Sequence, residues 1–135
     1  MRYVANPMNL TPDSTLNKEK GFTGMGLTWL ITSDKFPVTS CAVGYTKKNP
    51  GGEHRLHYHT NAEELIIMLK GRAIERVGDE DIEIKAGDVM FIPKGVVHSH
   101  VALEPVETMC IYAGEGATSF ENTGYVLVES SPEKK

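Results

Sequence analysis

Residues 51–71 read GGEHRLHYHTNAEELIIMLKG, and this stretch contains three of the chain's five histidines. The other two, His98 and His100, lie in a second short run, GVVHSH. Imidazole is the commonest protein ligand for transition metals, and alternate side chains of a β-strand lie on one face. His57 and His59 can therefore bind one ion from a single strand. The two His-x-His pairs together indicate one site built from two strands.

The surrounding sequence is typical of an all-β protein. From Gly26 onward, ten short β-favouring runs alternate with turn residues, and no clear helical pattern lies between them. The runs are Leu27–Thr32, Val38–Thr46, Arg55–His59, Glu64–Leu69, Arg72–Val77, Asp81–Lys85, Asp88–Ile92, Val96–Ala102, Val106–Ala113 and Gly124–Val128. Many short strands at this spacing predict a sandwich or a barrel.

The two ends of the chain differ from the central region, residues 25–128. Residues 1–24 carry prolines and glycines among polar residues without a period of 2 or 3.6, which predicts an irregular N-terminal arm. Residues 129–135 are mostly polar, and we expect a frayed tail there. The sequence therefore predicts one barrel domain with an arm before it and a tail after it.

Composition excludes several classes of function. A chain of 135 residues with a net charge of −4 and no cluster of Lys or Arg is a poor binder of nucleic acid. No apolar run has the length of a membrane span and the first residues lack the apolar stretch of a signal peptide, so we expect a cytoplasmic protein without a membrane partner. Cys41 and Cys110 stand alone in apolar runs, which favours free thiols over a disulfide. The run Glu64–Leu69 is apolar on both faces, which predicts a homodimer.

The spacing of the histidines and glycines resembles the cupin superfamily in its small single-domain (monocupin) form. The first motif reads Gly51-x5-His57-x-His59-x4-Glu64-x6-Gly71, and the second reads Gly87-x5-Pro93-x-Gly95-x2-His98. The intervening residues, 72–86, suit a short hairpin. The resemblance implies a cupin-type double-stranded β-helix, which is a jelly-roll barrel. It also implies that the metal ligands are His57, His59, Glu64 and His98.

This ligand set predicts one divalent transition metal as the cofactor. Three imidazoles and one carboxylate suit Fe, Mn, Ni, Co or Zn, and the donor atoms do not choose among them. An octahedral ion with four protein ligands keeps two positions for water or substrate, which is typical of a catalytic metal. One hypothesis is therefore a metal-dependent dioxygenase, lyase or isomerase that acts on a small polar carboxylate or sugar-like substrate. The alternatives are a non-catalytic cupin that binds or senses a small metabolite, and a barrel with a purely structural metal.

Two residues beside the ligands are candidates for other roles. His100 follows His98 by one strand repeat, so we expect it to face the same cavity and to act as a general acid or base. The alternative is a core histidine that hydrogen-bonds a neighbour or supports a ligand. Arg55 shares parity with His57, so it is a candidate for binding a substrate carboxylate, with exposure to solvent as the alternative.

For three further side chains the question is which face of the sheet they occupy. His54 has the opposite parity to His57, which predicts a place at the surface. Tyr45 and Tyr112 lie in strands that can line the pocket, but the sequence leaves their facing open.

Overall fold

The computed structural model of this protein describes residues 3–128, so the predicted tail at 129–135 lies outside the described residues. Within that range nine strands join in one antiparallel sheet, which confirms the predicted all-β class. The strands are β1 (Phe22–Ile31), β2 (Cys41–His59), β3 (Glu63–Lys70), β4 (Arg72–Val77), β5 (Glu80–Lys85), β6 (Val89–Ile92), β7 (His98–Ala102), β8 (Val106–Ala113) and β9 (Tyr125–Leu127). Single turns of 3-10 helix lie at Pro7–Asn9, Lys18–Lys20 and Glu121–Thr123.

The sheet is organised around β2, which is 19 residues long. Its strand order is β5-β4-β7-β2-β8-β3-β6, and β1 and β9 also pair with β2. One face of the curled sheet encloses the interior, because residues of β2 and β8 alternate between buried and partly exposed along most of their length. The predicted hairpin between the two motifs is present, since β4 pairs with β5 from Arg72 opposite Lys85 to Val77 opposite Glu80.

Two of the ten predicted runs, Val38–Thr46 and Arg55–His59, belong to one strand, because β2 continues through the Asn-Pro-Gly-Gly stretch (residues 49–52) between them. Gly52 allows a close approach of two strands, whereas Gly51 has a φ of +81° with open space around it. A Cβ atom on Gly52 would overlap the carbonyl oxygen of Gly24 in β1. The pairing of β1 with β2 shifts register between Thr23 and Met25, which absorbs the irregularity. The predicted arm also ends earlier than expected, because β1 begins at Phe22.

Two apolar clusters lie inside the barrel. One contains Ala42, Ala62, Ile66, Ile92, Cys110, Tyr112 and Ala117, and the other contains Met68, Ala73, Ile84, Ala102 and Val106. Both cysteines are free thiols as predicted, with Cys110 buried and Cys41 half-buried. None of the helical turns between residues 3 and 128 has the length and apolar character needed to cross a membrane.

The outer face of the sheet carries a second apolar surface on β3 and β6. Val89 and Phe91 are 64% and 54% exposed. Val89 lies opposite Ile67 of β3, and Phe91 lies opposite Leu65. We call these four residues the outer apolar face. Contiguous apolar surface of this kind is uncommon on a monomeric protein.

Substitution of Gly71, the last residue of the first motif, tests whether this position requires a residue without a Cβ atom. It has a φ of +86°, and an added Cβ would overlap the carbonyl oxygen of Pro105. Gly78 in the β4–β5 turn has a φ of +62° with open space around the same position. We expect Gly71→Ala to lower the free energy of unfolding by about 3 kcal/mol or more, from left-handed strain plus steric overlap.

Gly78→Ala is the matched control and should lower the free energy of unfolding by only about 1–2 kcal/mol, because it adds left-handed strain alone. Urea denaturation of both variants measures the difference. Equal losses would show that the contact with Pro105 has no energetic weight.

Candidate metal centre

Four ionisable side chains converge inside the barrel. The strands β2, β3 and β7 supply them, and they are His57, His59, Glu64 and His98. Their nitrogen and oxygen ligand atoms all lie within 4.8 Å of one another, and no member is more than 4% exposed. The convergence follows from register, because His57 lies directly opposite His98 across the β2–β7 pair. The cluster fits a transition-metal site.

Backbone carbonyls fix the orientation of two of the imidazoles. The Nδ1 atom of His57 lies 2.7 Å from the carbonyl oxygen of Arg55, and Nδ1 of His98 lies 3.0 Å from that of Val96. A carbonyl oxygen only accepts, so Nδ1 carries the proton in both rings. The Nε2 atom of each neutral ring therefore keeps its lone pair for a metal.

A threonine hydroxyl orients the third imidazole. Nδ1 of His59 lies 2.9 Å from Oγ1 of Thr123, whose hydroxyl donates to the carbonyl oxygen of Phe120. Thr123 therefore accepts from His59, and Nε2 of His59 is buried without a hydrogen-bond partner among the described residues. Nothing in the sequence around Thr123 indicates this role, because the residue lies in a 3-10 turn far from both motifs.

The protonation of the cluster suits metal binding. Burial lowers the pKa of His57 well below its ordinary value and lowers that of His59 to about 4. Burial opposes ionisation of Glu64, but hydrogen bonding and charge from His98 outweigh it and lower the pKa of Glu64. Burial also opposes protonation of His98, yet its Nε2 lies 3.0 Å from Oε1 of Glu64, and that contact raises the pKa of His98. A metal would displace a proton from this pair.

The prediction that His54 lies at the surface was wrong. The pairing of β2 with β7 shifts register between His54 and His57, so both side chains point inward although they are three residues apart. The His54 ring stacks on His57 with centroids 3.6 Å apart, and Phe22 stacks on His54 at 4.0 Å. Its Nε2 hydrogen-bonds the hydroxyl of Tyr125 at 2.9 Å. His54 therefore packs against one face of the imidazole of His57, a candidate ligand.

Because of the same register shift, the Arg55 side chain does not share the inward face of the strand with His57. Arg55 is half-buried, does not line the cavity beside the cluster, and donates from Nη2 to the carbonyl oxygen of Lys18 at 3.1 Å. Its backbone N–H donates to the carbonyl of Gly21. Arg55 therefore holds the segment before β1 against the barrel. Its contact with a substrate carboxylate stays a prediction, and the parity argument for it was wrong.

The remaining candidates divide between the two faces of the sheet. His100 lines the same cavity as His98 and is 4% exposed. Tyr112 also faces inward, with its ring centroid 5.0 Å from that of His59. Tyr45 is on the outer side, where its hydroxyl donates to Oε1 of Glu107 at 2.6 Å. The structure thus settles the facing that the sequence left open.

The match to a family agrees with this geometry. A family described as the cupin domain matches residues 44–112, just over half of the chain. The chain belongs to the cupin family. The match extends from β2 to β8 and therefore includes all four members of the cluster.

Individual relatives of this cupin are more distant. The uncharacterized protein YdbB of Bacillus subtilis is 29% identical over 82 residues, which are 60% of this chain and 66% of YdbB. The oxalate-binding protein of Thermotoga maritima is 27% identical over 96 residues, which are 71% of this chain and 79% of that protein. The crystal structure of a predicted oxalate decarboxylase from Thermotoga maritima superposes with a TM-score of 0.69 at 20% identity, covering 83% of this chain and 99% of that chain. That structural likeness shows the fold.

We expect removal of a cluster member to abolish metal binding and removal of the neighbouring His54 to leave it intact. Protein expressed without added metal should contain about one transition-metal ion per chain. His57→Ala and His98→Ala should each abolish stoichiometric binding, because each removes one of four donors. Elemental analysis of the purified variants measures this.

His54→Ala is the matched control, because it removes a buried imidazole that is outside the cluster. This variant should keep its metal. A loss equal to that of His57→Ala would show that His54 is itself a ligand, and a metal-free wild type that takes up no added ion would refute the site.

Proposed function

We propose that this cupin binds one divalent transition metal (Fe, Mn, Ni, Co or Zn) through His57, His59, Glu64 and His98. We further propose that it acts as an enzyme on a small polar substrate. The observation that carries the proposal is the orientation of the three imidazoles, each of which is held at Nδ1, with ligand atoms of all three within 4.8 Å of the Glu64 carboxylate. A bound metal of this kind supplies Lewis-acid chemistry or, for a redox-active ion, electron transfer.

The size of the interior supports a small substrate. The cavity lined by His57, Glu64 and His98 has a free volume of about 20 Å³. That space is close to the volume needed for a single water molecule. Oxalate is larger than a water molecule, so the cavity would have to widen to admit even a one- or two-carbon acid, and it would have to widen far more for a sugar. The resemblance to an oxalate-binding protein and to a predicted oxalate decarboxylase supports the same substrate class, and favours lyase chemistry or oxidation over isomerisation.

His100 is our proposed general acid or base. Its Nδ1 hydrogen-bonds Oε1 of Glu75 at 2.7 Å, while its Nε2 is buried and has no partner among residues 3–128. An imidazole held at one nitrogen and unpartnered at the other can transfer a proton to a ligand in the cavity.

Binding without turnover is the second candidate function. The relative from Thermotoga maritima is named for binding oxalate and not for converting it. In that case His100 and Glu75 would only hydrogen-bond the ligand, and the metal would hold it.

The enzyme proposal predicts that protein loaded with Mn or Fe converts oxalate. Carbon dioxide release and dioxygen uptake should be measured in parallel, because decarboxylation releases the first without consuming the second. We expect His100→Gln to keep its metal and lower turnover about a hundredfold.

Ser99→Ala, a change at the partly exposed neighbour on β7, is the control and should leave turnover near wild type. Oxalate binding without turnover at any metal would favour the second candidate. Normal turnover in His100→Gln would remove the acid–base role.

We also propose a homodimer that buries the outer apolar face. Charge at its centre should disrupt the association, so light scattering at micromolar concentration should report a dimer for wild type and a monomer for Phe91→Glu. Glu80→Lys, a charge reversal at the exposed start of β5 and away from the connection to β6, should remain dimeric. A monomeric wild type would refute the proposal.

A further inference from the structure

A second group of polar side chains lies beside the metal centre inside the barrel. We call it the inner polar layer, and its members are Thr46, Lys48, Glu75, His100 and Thr108, none more than 5% exposed. Register brings them together, because Glu75 lies opposite His100 and Thr46 lies opposite Thr108. The layer lines the same cavity as His57, Glu64 and His98.

Lys48 is the basic residue of this layer, and burial lowers its pKa, so an anion beside it would favour the charged form. Its ammonium donates to Oγ1 of Thr46 at 3.1 Å, and the hydroxyls of Thr46 and Thr108 are hydrogen-bonded to each other. Lys48 forms no ion pair with a residue in the described range. A lysine ammonium has three N–H donors, so two remain to be satisfied. Burying an ammonium without an anionic partner is unfavourable by several kcal/mol.

Two other atoms of the layer are also unsatisfied. Oε2 of Glu75 and Nε2 of His100 are buried and lack hydrogen-bond partners among residues 3–128. Burial raises the pKa of Glu75 to about 8, so at neutral pH this carboxyl is mostly uncharged and does not neutralise Lys48. Three unsatisfied groups around one cavity indicate a ligand, because buried polar groups in native proteins are nearly always hydrogen-bonded.

We propose that Lys48, Glu75 and His100 form a site for a carboxylate group of the substrate, next to the metal centre. This inference rests on the proposed function, and it assigns the recognition of the anion to Lys48. The ammonium would form a charge-assisted hydrogen bond to one carboxylate oxygen. The neutral Glu75–His100 pair has one proton left beyond its mutual hydrogen bond, so either Oε2 of Glu75 or Nε2 of His100 would donate to the same carboxylate. The small cavity favours the smallest acids, and it would have to widen to admit one of one or two carbons.

The site also provides selectivity for charge. A neutral analogue of the same shape, such as oxamide, would leave the Lys48 ammonium buried and uncompensated. Oxalate should therefore bind much more tightly than oxamide, because a buried charge left unpaired penalises the wrong ligand.

The test compares Lys48→Met with Lys47→Met in metal-loaded protein. Lys47 is the neighbouring residue on β2 but is exposed on the outer face, so it controls for the loss of a positive charge. We expect Lys48→Met to keep one metal per chain and to bind oxalate about 10- to 100-fold more weakly by calorimetry. Lys47→Met should bind oxalate like wild type.

Thermal unfolding separates recognition from a structural role. Without oxalate, Lys48→Met should have a Tm equal to or above that of wild type, because an apolar side chain of similar length replaces an unpaired buried charge. Wild-type affinity for oxalate in Lys48→Met would overturn the inference. If Lys48→Met does not fold, Lys48→Gln gives the same comparison, and failure of both to fold would assign Lys48 a structural role and overturn it.

Failure of the metal site is distinguishable from failure of this inference. A wild type that holds its metal but binds neither oxalate nor formate overturns the carboxylate site and leaves the metal site intact. If the wild type binds no metal, the proposed function falls, and formate added to the metal-free protein decides the inference. A rise in Tm with formate in wild type and not in Lys48→Met supports it, and no rise overturns it.

Discussion

The hydrogen bond from a ring Nδ1 to the carbonyl two residues earlier is the interaction on which the site depends. It occurs in both motifs, at His57 and at His98, and it needs no side chain from elsewhere in the chain. All five histidines are buried, and each neutral ring in such surroundings must place its one N–H on an acceptor. Using the local backbone for that purpose leaves Nε2 of His57 and His98 as the ligand atoms, and Nε2 of His98 contacts the carboxylate of Glu64. The barrel then has to bring the two rings together, and the β2–β7 register places their centroids 4.1 Å apart.

The cluster could be predicted from the sequence because residue spacing within short stretches of the chain determines most of it. Motif spacing places two histidines on one strand and a carboxylate on the next, and the β4–β5 hairpin returns the chain to the position of His98. Alternation in a regular strand is a reliable guide over a few residues, so His57 and His59 were predicted to share a face and they do. The all-β class followed from the same short-range patterns.

The errors arose where the backbone departs from regularity or where a partner comes from a distant segment. A bulge between His54 and His57 reverses the parity, which buries one side chain expected at the surface. The Asn-Pro-Gly-Gly stretch has the composition of a turn, but Gly52 allows the close approach of a neighbouring strand. Thr123 and Lys48 were missed for another reason, since a threonine in a 3-10 turn and one of two adjacent lysines have no pattern that marks them as interior. Their burial depends on the closed barrel.

The stack of Phe22, His54 and His57 has a consequence for the start of the domain. Phe22 opens β1, and the residues just before it are held by Arg55 and by the Tyr125 hydroxyl, which donates to the carbonyl of Lys20. The position of this segment and the position of a candidate metal ligand are therefore parts of one packed unit. If binding of an ion stabilises the packed position of the N-terminal segment by some factor, thermodynamic linkage requires that holding the segment in that position raises the affinity for the ion by the same factor. The start of β1 therefore covers the site, and its stability and the metal affinity of the site would change together.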